Sequence, residues 1–181
     1  MWNSSSQSSS SILVLIFCLF SAPLHAALDI EIFGGGASQI PIAIIPFAAE
    51  ERLAQSVTAV VRSDLQRSGL FRMVDSESSA PHEPNEIIYP NWQMRGVNAI
   101  VIGATRLLPN GQVEVRYRLM DVAKQEILIS DMETVSVKQL RAVAHRMADS
   151  IYEKLTGDIG VFSTRIAYVA KQGKKYALQI A

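Results

Sequence analysis

A small two-layer α/β domain, a mixed sheet of about five strands with two main helices, is the fold class that the sequence predicts. Three observations predict it. A continuous apolar run, an amphipathic stretch and a second short apolar run follow one another between Ile40 and Val74; an Asn-Gly pair separates two strand-like runs near residue 110; and a capping-box signature at Ser136 opens a second amphipathic stretch. Strand, helix and strand in series suggest a right-handed βαβ unit with parallel pairing, whereas Asn-Gly marks an antiparallel hairpin. A sheet containing both is mixed.

The elements follow in order. Ile40 to Phe47 is nearly all apolar, the texture of a central strand covered on both faces, with Pro41 and Pro46 marking its ends. From Glu50 the apolar residues Leu53, Val57, Val60, Val61 and Leu65 recur at helical spacing, so a helix is expected there, closed by Gly69 at C′. Leu70 to Val74 returns to strand. Asp75 to Pro90 is polar and broken by Pro81, Pro84 and Pro90, as in a surface loop. Pro90 can start a short helix carrying Trp92 and Met94, closed by Gly96. Three strands are then expected at Ala99 to Leu107, Gln112 to Asp121 and Ile127 to Val135, the first pair joined by Pro109-Asn110-Gly111. Ser136 with Gln139 caps the second helix, whose stripe is Leu140, Ala144, Met147, Ile151 and Leu155, and Gly157 ends it. The α/β domain is expected to span 27–158. Beyond Gly160, Arg165 to Ala170 and Tyr176 to Ala181 read as two short strands around a polar turn. A lone hairpin is marginal in water, so these strands read as the start of a truncated second domain.

The amino-terminal end carries a different signal. Met1 to Ala26 has no Lys, Arg, Asp or Glu, and its centre, Ile12 to Phe20, is unbroken apolar sequence. That run is too short to cross a hydrocarbon core, which needs about 20 residues. Small residues follow it, so 1–26 reads as a secretory signal peptide cut after Ala26, although Met1 to Ser11 lacks the usual positive charge. The competing reading is a buried helix or a membrane anchor. Cys18, the only cysteine, would leave with the signal, so the mature chain would have neither disulfide nor Cys-ligated metal. After the cut, Leu28, Ile30 and Ile32 alternate with Asp29, Glu31 and Phe33, a half-buried strand pattern. Gly34-Gly35-Gly36 then hinges this terminal segment, 27–38.

Chemistry-bearing patterns are sparse. Lys plus Arg total 17 and Asp plus Glu total 17, a balance that gives no electrostatic reason to expect nucleic acid. Gly34-Gly35-Gly36 could cradle a phosphate, yet no Gly-Lys-Ser/Thr follows and the next element is a strand, so a hinge is the better reading. His82 and His145 have no partner at metal-ligand spacing, and no Gly-x-Ser-x-Gly elbow is present. His145 and Asp149, four apart on one helix, could orient a catalytic base; an exposed i, i+4 contact is the commoner meaning. Asp29 and Glu31 could act as paired carboxylates or simply blunt an edge strand. Trp92 could stack on a ligand, but anchoring a loop to the core is favoured. No catalytic, metal or cofactor residue is named, and a non-enzymatic protein-binding module is expected.

Four strings carry a family resemblance. Asp64-Leu65-Gln66-Arg67-Ser68-Gly69-Leu70-Phe71, Gly96-Val97-Asn98-Ala99-Ile100-Val101-Ile102-Gly103 and Lys154-Leu155-Thr156-Gly157 resemble the amino-terminal domain of TolB proteins, and Gly160-Val161-Phe162-Ser163-Thr164-Arg165-Ile166-Ala167-Tyr168-Val169 resembles the opening of their β-propeller. The similarity keeps its order from about Ala27 to the last residue. It implies a periplasmic, non-enzymatic component of the Tol-Pal system, needed for outer-membrane integrity and constriction during division. It also implies that 159–181 begins a propeller, of which only the first strands are present. In such proteins the segment after signal cleavage contacts TolA, and the propeller carries most of the surface for Pal. The corresponding partner-binding residues here are Ala27, Leu28, Asp29, Ile30, Glu31, Ile32 and Phe33. The run of three glycines departs from the family pattern, and the surface for Pal is expected on the rest of the propeller. The alternative from the enzyme class is the front of a propeller-containing serine peptidase.

Overall fold

The computed structural model describes residues 39–76, 81–173 and 175–180. The expected signal peptide, 1–26, and the expected terminal segment, 27–38, lie outside them, and with these Cys18, Asp29, Glu31 and the three glycines.

Ten strands and α-helices follow in chain order: β1 (Ile40–Ile44), α1 (Val57–Arg67), β2 (Phe71–Met73), α2 (Tyr89–Met94), β3 (Ala99–Leu107), β4 (Gln112–Asp121), β5 (Glu126–Ser136), α3 (Leu140–Thr156), β6 (Ala167–Gln172) and β7 (Lys175–Ile180). Five strands form one sheet in the order β2-β1-β3-β4-β5. β1 pairs in parallel with β2 and with β3, while β4 is antiparallel to both β3 and β5. The sheet is therefore mixed. Its parallel half comes from the strand-helix-strand unit, and its antiparallel half from the turn at Asn110-Gly111. There Gly111 takes φ 78°, and the Asn110 side-chain oxygen accepts the Gln112 amide at 3.0 Å.

β1 is apolar at successive positions because the sheet is covered on both faces. Ile42, Ile44 and Phe47 join Val101, Val115 and Leu119 beneath α1 and α3, which bring Val57, Val61, Leu65, Leu140, Met147 and Ile151 to the same cluster. Ala43 and Ile45 point the other way, joining Ile100, Ile102 and Met120 under Ile87, Trp92 and Val97. The two main helices thus share one layer, and the segment from Pro84 to Val97 closes part of the opposite face. Trp92 is the anchor of that cover: buried against the second cluster, with the Arg95 guanidinium 4.8 Å from its ring centre.

α1 begins seven residues later than its apolar spacing predicts. Ala49 adopts a left-handed conformation at φ 62°, Glu50–Arg52 forms a single 3-10 turn, and Ser56 accepts the Ala59 amide at 3.0 Å as the N-cap. Serine's preference for non-helical backbone at a cap outweighs the periodicity that Leu53 extends. Leu53 still packs on the core from the loop. The other end falls as expected, with Gly69 at φ 76°.

The start of α3 keeps its signature. Ser136 donates its amide and its hydroxyl to the Gln139 side-chain oxygen at 3.2 and 2.8 Å, opening a 3-10 turn over Val137–Gln139 that runs into the helix. Gly157 at φ 82° ends it. β6 and β7 then form a separate two-stranded antiparallel sheet.

Candidate partner-binding surfaces

The hairpin of β6 and β7 carries a row of uncovered apolar side chains. Ile166, Tyr168, Val169, Tyr176, Leu178 and Ile180 are all exposed, Ile166 to 68% and Leu178 to 71%. A row of exposed apolar side chains of this kind marks a surface suited to contact with another layer, strand or partner.

The hairpin is tied to the α/β domain by a clamp at its root. On α3, the Asp149 carboxylate accepts the amides of Phe162 and Ser163 at 2.6 and 3.0 Å. Phe162 stands edge-on to Tyr152 with ring centres 5.6 Å apart, and Tyr152 stands likewise on Phe71 at 6.0 Å. Gly160 lets the chain pass close to the helix: a Cβ there would lie 2.4 Å from the Asp149 Cα and 2.6 Å from its carboxylate oxygen. Asp149 thus works on the backbone of the linker. The contact expected between His145 and Asp149 does not form, either as an oriented catalytic pair or as an exposed i, i+4 pair.

His145 turns instead toward α1. Its Nδ1 lies 2.5 Å from Asp64 Oδ2, and Arg67 donates to the other oxygen of the same carboxylate. Asp64 is 1% exposed, so its charge is held in the interior by two cationic or polar partners at the rim. Residues 81 apart in sequence make this pair; no spacing rule could have found it. The neighbouring cavity of about 260 Å³ is lined by Ala59, Val60, Ser63, Asp64, Arg67 and Arg141. His82, the other imidazole, sits in the loop before α2, with its amide donating to Glu86 at 2.7 Å and its Nδ1 buried without a partner.

On the face opposite α1 and α3, Glu83 accepts from both Arg116 and Arg118 of β4, pinning the loop across the strand. Among the described residues no three His, Cys, Asp or Glu side chains come together as metal ligands. Nor is any described helix long and apolar enough to cross a membrane. The residues Ala27 to Phe33 expected to meet a partner lie outside the described part.

The fold and these surfaces define a mixed α/β domain, clamped through Asp149 to a hairpin whose apolar side chains are exposed. The chain belongs to the TolB family: the TolB amino-terminal domain matches residues 28–128. Tol-Pal system protein TolB of Nitrosospira multiformis is 60% identical over 170 residues, covering 93% of this chain and 39% of that protein. The protein of the same name from Nitrosomonas europaea is 52% identical over 168 residues, covering 93% of this chain and 40% of its own length. Among solved structures, TolB from Acinetobacter baumannii superposes with a TM-score of 0.67 at 35% identity, covering 79% of this chain and 36% of that one. The chain therefore spans about two fifths of the length of the relatives it matches.

Proposed function

We propose that the chain is the front part of a periplasmic adaptor of the Tol-Pal system. It is exported by cleavage after Ala26 and works by binding other proteins rather than by turning over a substrate. The observation that carries this reading is the 60% identity, over 93% of the chain, to a protein named for that system. TolA is contacted by Ala27, Leu28, Asp29, Ile30, Glu31, Ile32 and Phe33, where alternating apolar residues on a glycine-hinged ribbon suit addition to a partner's sheet edge. Pal is contacted by the propeller that residues 159–181 begin; the exposed apolar side chains of β6 and β7 support such a continuation. Through these contacts the adaptor serves outer-membrane integrity and constriction at division.

Ile30→Asp tests the TolA assignment. Withdrawing one buried isoleucine removes about 1.5–3 kcal/mol, a loss of roughly 10- to 150-fold in affinity, with the fold unchanged by circular dichroism. Surface plasmon resonance against immobilised TolA reads it, and normal binding by the variant would remove that segment from the account.

A further inference from the structure

The five-stranded sheet has two very unequal edges. β2 offers three residues, whereas β5 runs for eleven, Glu126–Ser136. Natural edges are guarded by charged side chains, above all Lys, by Pro, by bulges or by brevity, and β5 has one bulge against β4, at Leu119/Met120. β5 contains no Pro, Lys or Arg, and its charges are Glu126, Asp131 and Glu133.

One hydrogen bond tells which of its amides face outward. The Met132 N–H donates to the neighbouring Asp131 carboxylate at 2.8 Å, so it does not reach β4. The ladder agrees. Thr105 donates toward Ala48 on the β1 side, which turns Ala104 and its partner Arg116 toward each other; Met132, opposite Arg116 on β5, is then left unpaired. With the strand's period of two, Ser130, Met132 and Thr134 all present their amides to the open edge.

Beside this edge, β5 and α3 border a shallow, open groove of about 600 Å³ lined by Tyr117, Ile129, Asp131, Ser150, Glu153 and Lys154. Tyr117 and Ile129 give it an aromatic and an aliphatic surface, and two carboxylates, Asp131 and Glu153, outnumber the single cation Lys154. Glu133 is taken by Arg146, but Asp131 and Glu153 have no ion-pair partner among the described residues. The Tyr117 phenol senses that field: burial holds its pKa above the usual value, and the charges of Asp131 and Glu133 add to the effect.

We propose that β5 is a strand-addition site for an extended segment of a partner protein in which apolar residues alternate with Lys or Arg. The segment's carbonyls take the outward amides of Ser130, Met132 and Thr134, and a cationic side chain enters between Asp131 and Glu153. On binding, the Met132 amide passes from the Asp131 carboxylate to a partner carbonyl. The freed carboxylate then pairs with the incoming cation. Charge selects this occupant over two others. A second copy would bring Asp131 and Glu133 of each strand against the same residues of the other, and the chain's own segment from Ala27 to Phe33 carries Asp29 and Glu31 at alternate positions.

The test uses the whole chain and three fluorescein-labelled peptides: one alternating Val with Lys, one alternating Val with Glu, and one copying residues 27–38. Anisotropy should give the Lys peptide a Kd at least tenfold lower than either of the others, and hydrogen exchange should show the amides of Ser130, Met132 and Thr134 gaining protection. Thr134→Pro, which removes an outward amide without touching the β4 ladder, should weaken binding at least tenfold. Asp131→Lys keeps that amide and should reverse the preference between the Lys and Glu peptides, so the proposal remains testable if the proline variant misfolds. Unchanged binding by a folded Thr134→Pro, equal binding of the Glu or residue 27–38 peptide, or a dimer in sedimentation that the Lys peptide disperses would each overturn the assignment.

Discussion

Gly160→Ala should unlock the hairpin root while leaving the α/β core intact. The added methyl would lie 2.4 Å from the Asp149 Cα, a backbone atom in the middle of α3 that cannot step aside. The linker must therefore lift, and two contacts go with it. The first is the carboxylate's grip on the Phe162 and Ser163 amides at 2.6 and 3.0 Å. Each such charge-assisted bond nets about 1.5 kcal/mol at the low end of its range, which suits a group this near solvent. The second is the edge-on contact of Phe162 with Tyr152, 5.6 Å between centres, which contributes about 0.5–1 kcal/mol. Losing most of this total, about 3 kcal/mol, should speed amide exchange at Phe162 and Ser163 roughly hundredfold, since 1.4 kcal/mol is a factor of ten. Asp149→Ala should reproduce the effect, because it removes the acceptor rather than the space. Amides in β1 and β3 should keep their rates in both variants. Exchange at Phe162 and Ser163 within threefold of the parent in Gly160→Ala would refute the clamp.

Three further outcomes are expected. Gly103→Ala sets a Cβ 2.6 Å from the Arg116 carbonyl oxygen and 2.7 Å from the Phe47 ring, and should cost about 2–3 kcal/mol in urea unfolding; a neutral result would mean that Phe47 repacks freely. His145→Ala leaves the buried Asp64 charge on Arg67 alone and should cost about 2 kcal/mol, while His145→Ala with Arg67→Ala should cost more than the two single changes together, because the last partner is gone; simple additivity would argue against the shared carboxylate. The Tyr117 phenol should ionise above its ordinary 10.0, because burial raises it, with opposition from Ser150 and reinforcement from Asp131 and Glu133. The folded state then holds that proton more tightly than the unfolded chain, so its contribution to stability is complete below pH 10.0 and is lost as pH climbs through the raised value. Tyr117→Phe should flatten that alkaline decline, measured by urea midpoints across the same pH range.

Local grammar made most of the fold readable. Asn110-Gly111 fixed a hairpin, Ser136 with Gln139 a helix start, and Gly69, Gly96 and Gly157 three helix ends, because each of these signals is complete within a few residues. The continuous apolar texture of Ile42 to Ile45 announced two-sided burial before any partner was known. Where two local signals conflicted, the weaker one misled: Leu53 extends the stripe of α1, yet Ser56 caps the helix. The polar contacts of the site were illegible for another reason. Asp64 meets His145 from a different helix, and Asp149 binds backbone amides thirteen and fourteen residues away, so nothing in i, i+4 spacing encodes either. The outward amides of β5 were equally hidden, since which side of a strand faces the edge depends on the register with its neighbour.

The place of β1 in the sheet sets an order of assembly. It lies between β2 and β3, and its far neighbour is made late: Ile44 pairs with Val101. The three antiparallel strands from Ala99 to Ser136 need only nearby sequence to meet, and a hairpin of that kind closes in about 1–10 μs. β1 can meet β2 across the shorter loop that joins Ile40 to Phe71, but its side toward β3 must wait for a loop of more than fifty residues to close, a slower search that local contacts cannot shorten. The apolar stretch from Ile42 to Ile45 thus emerges before β3 and keeps one edge open until β3 arrives. During that interval Ile42 to Ile45 is the segment by which a nascent chain would aggregate, or by which a chaperone would hold it.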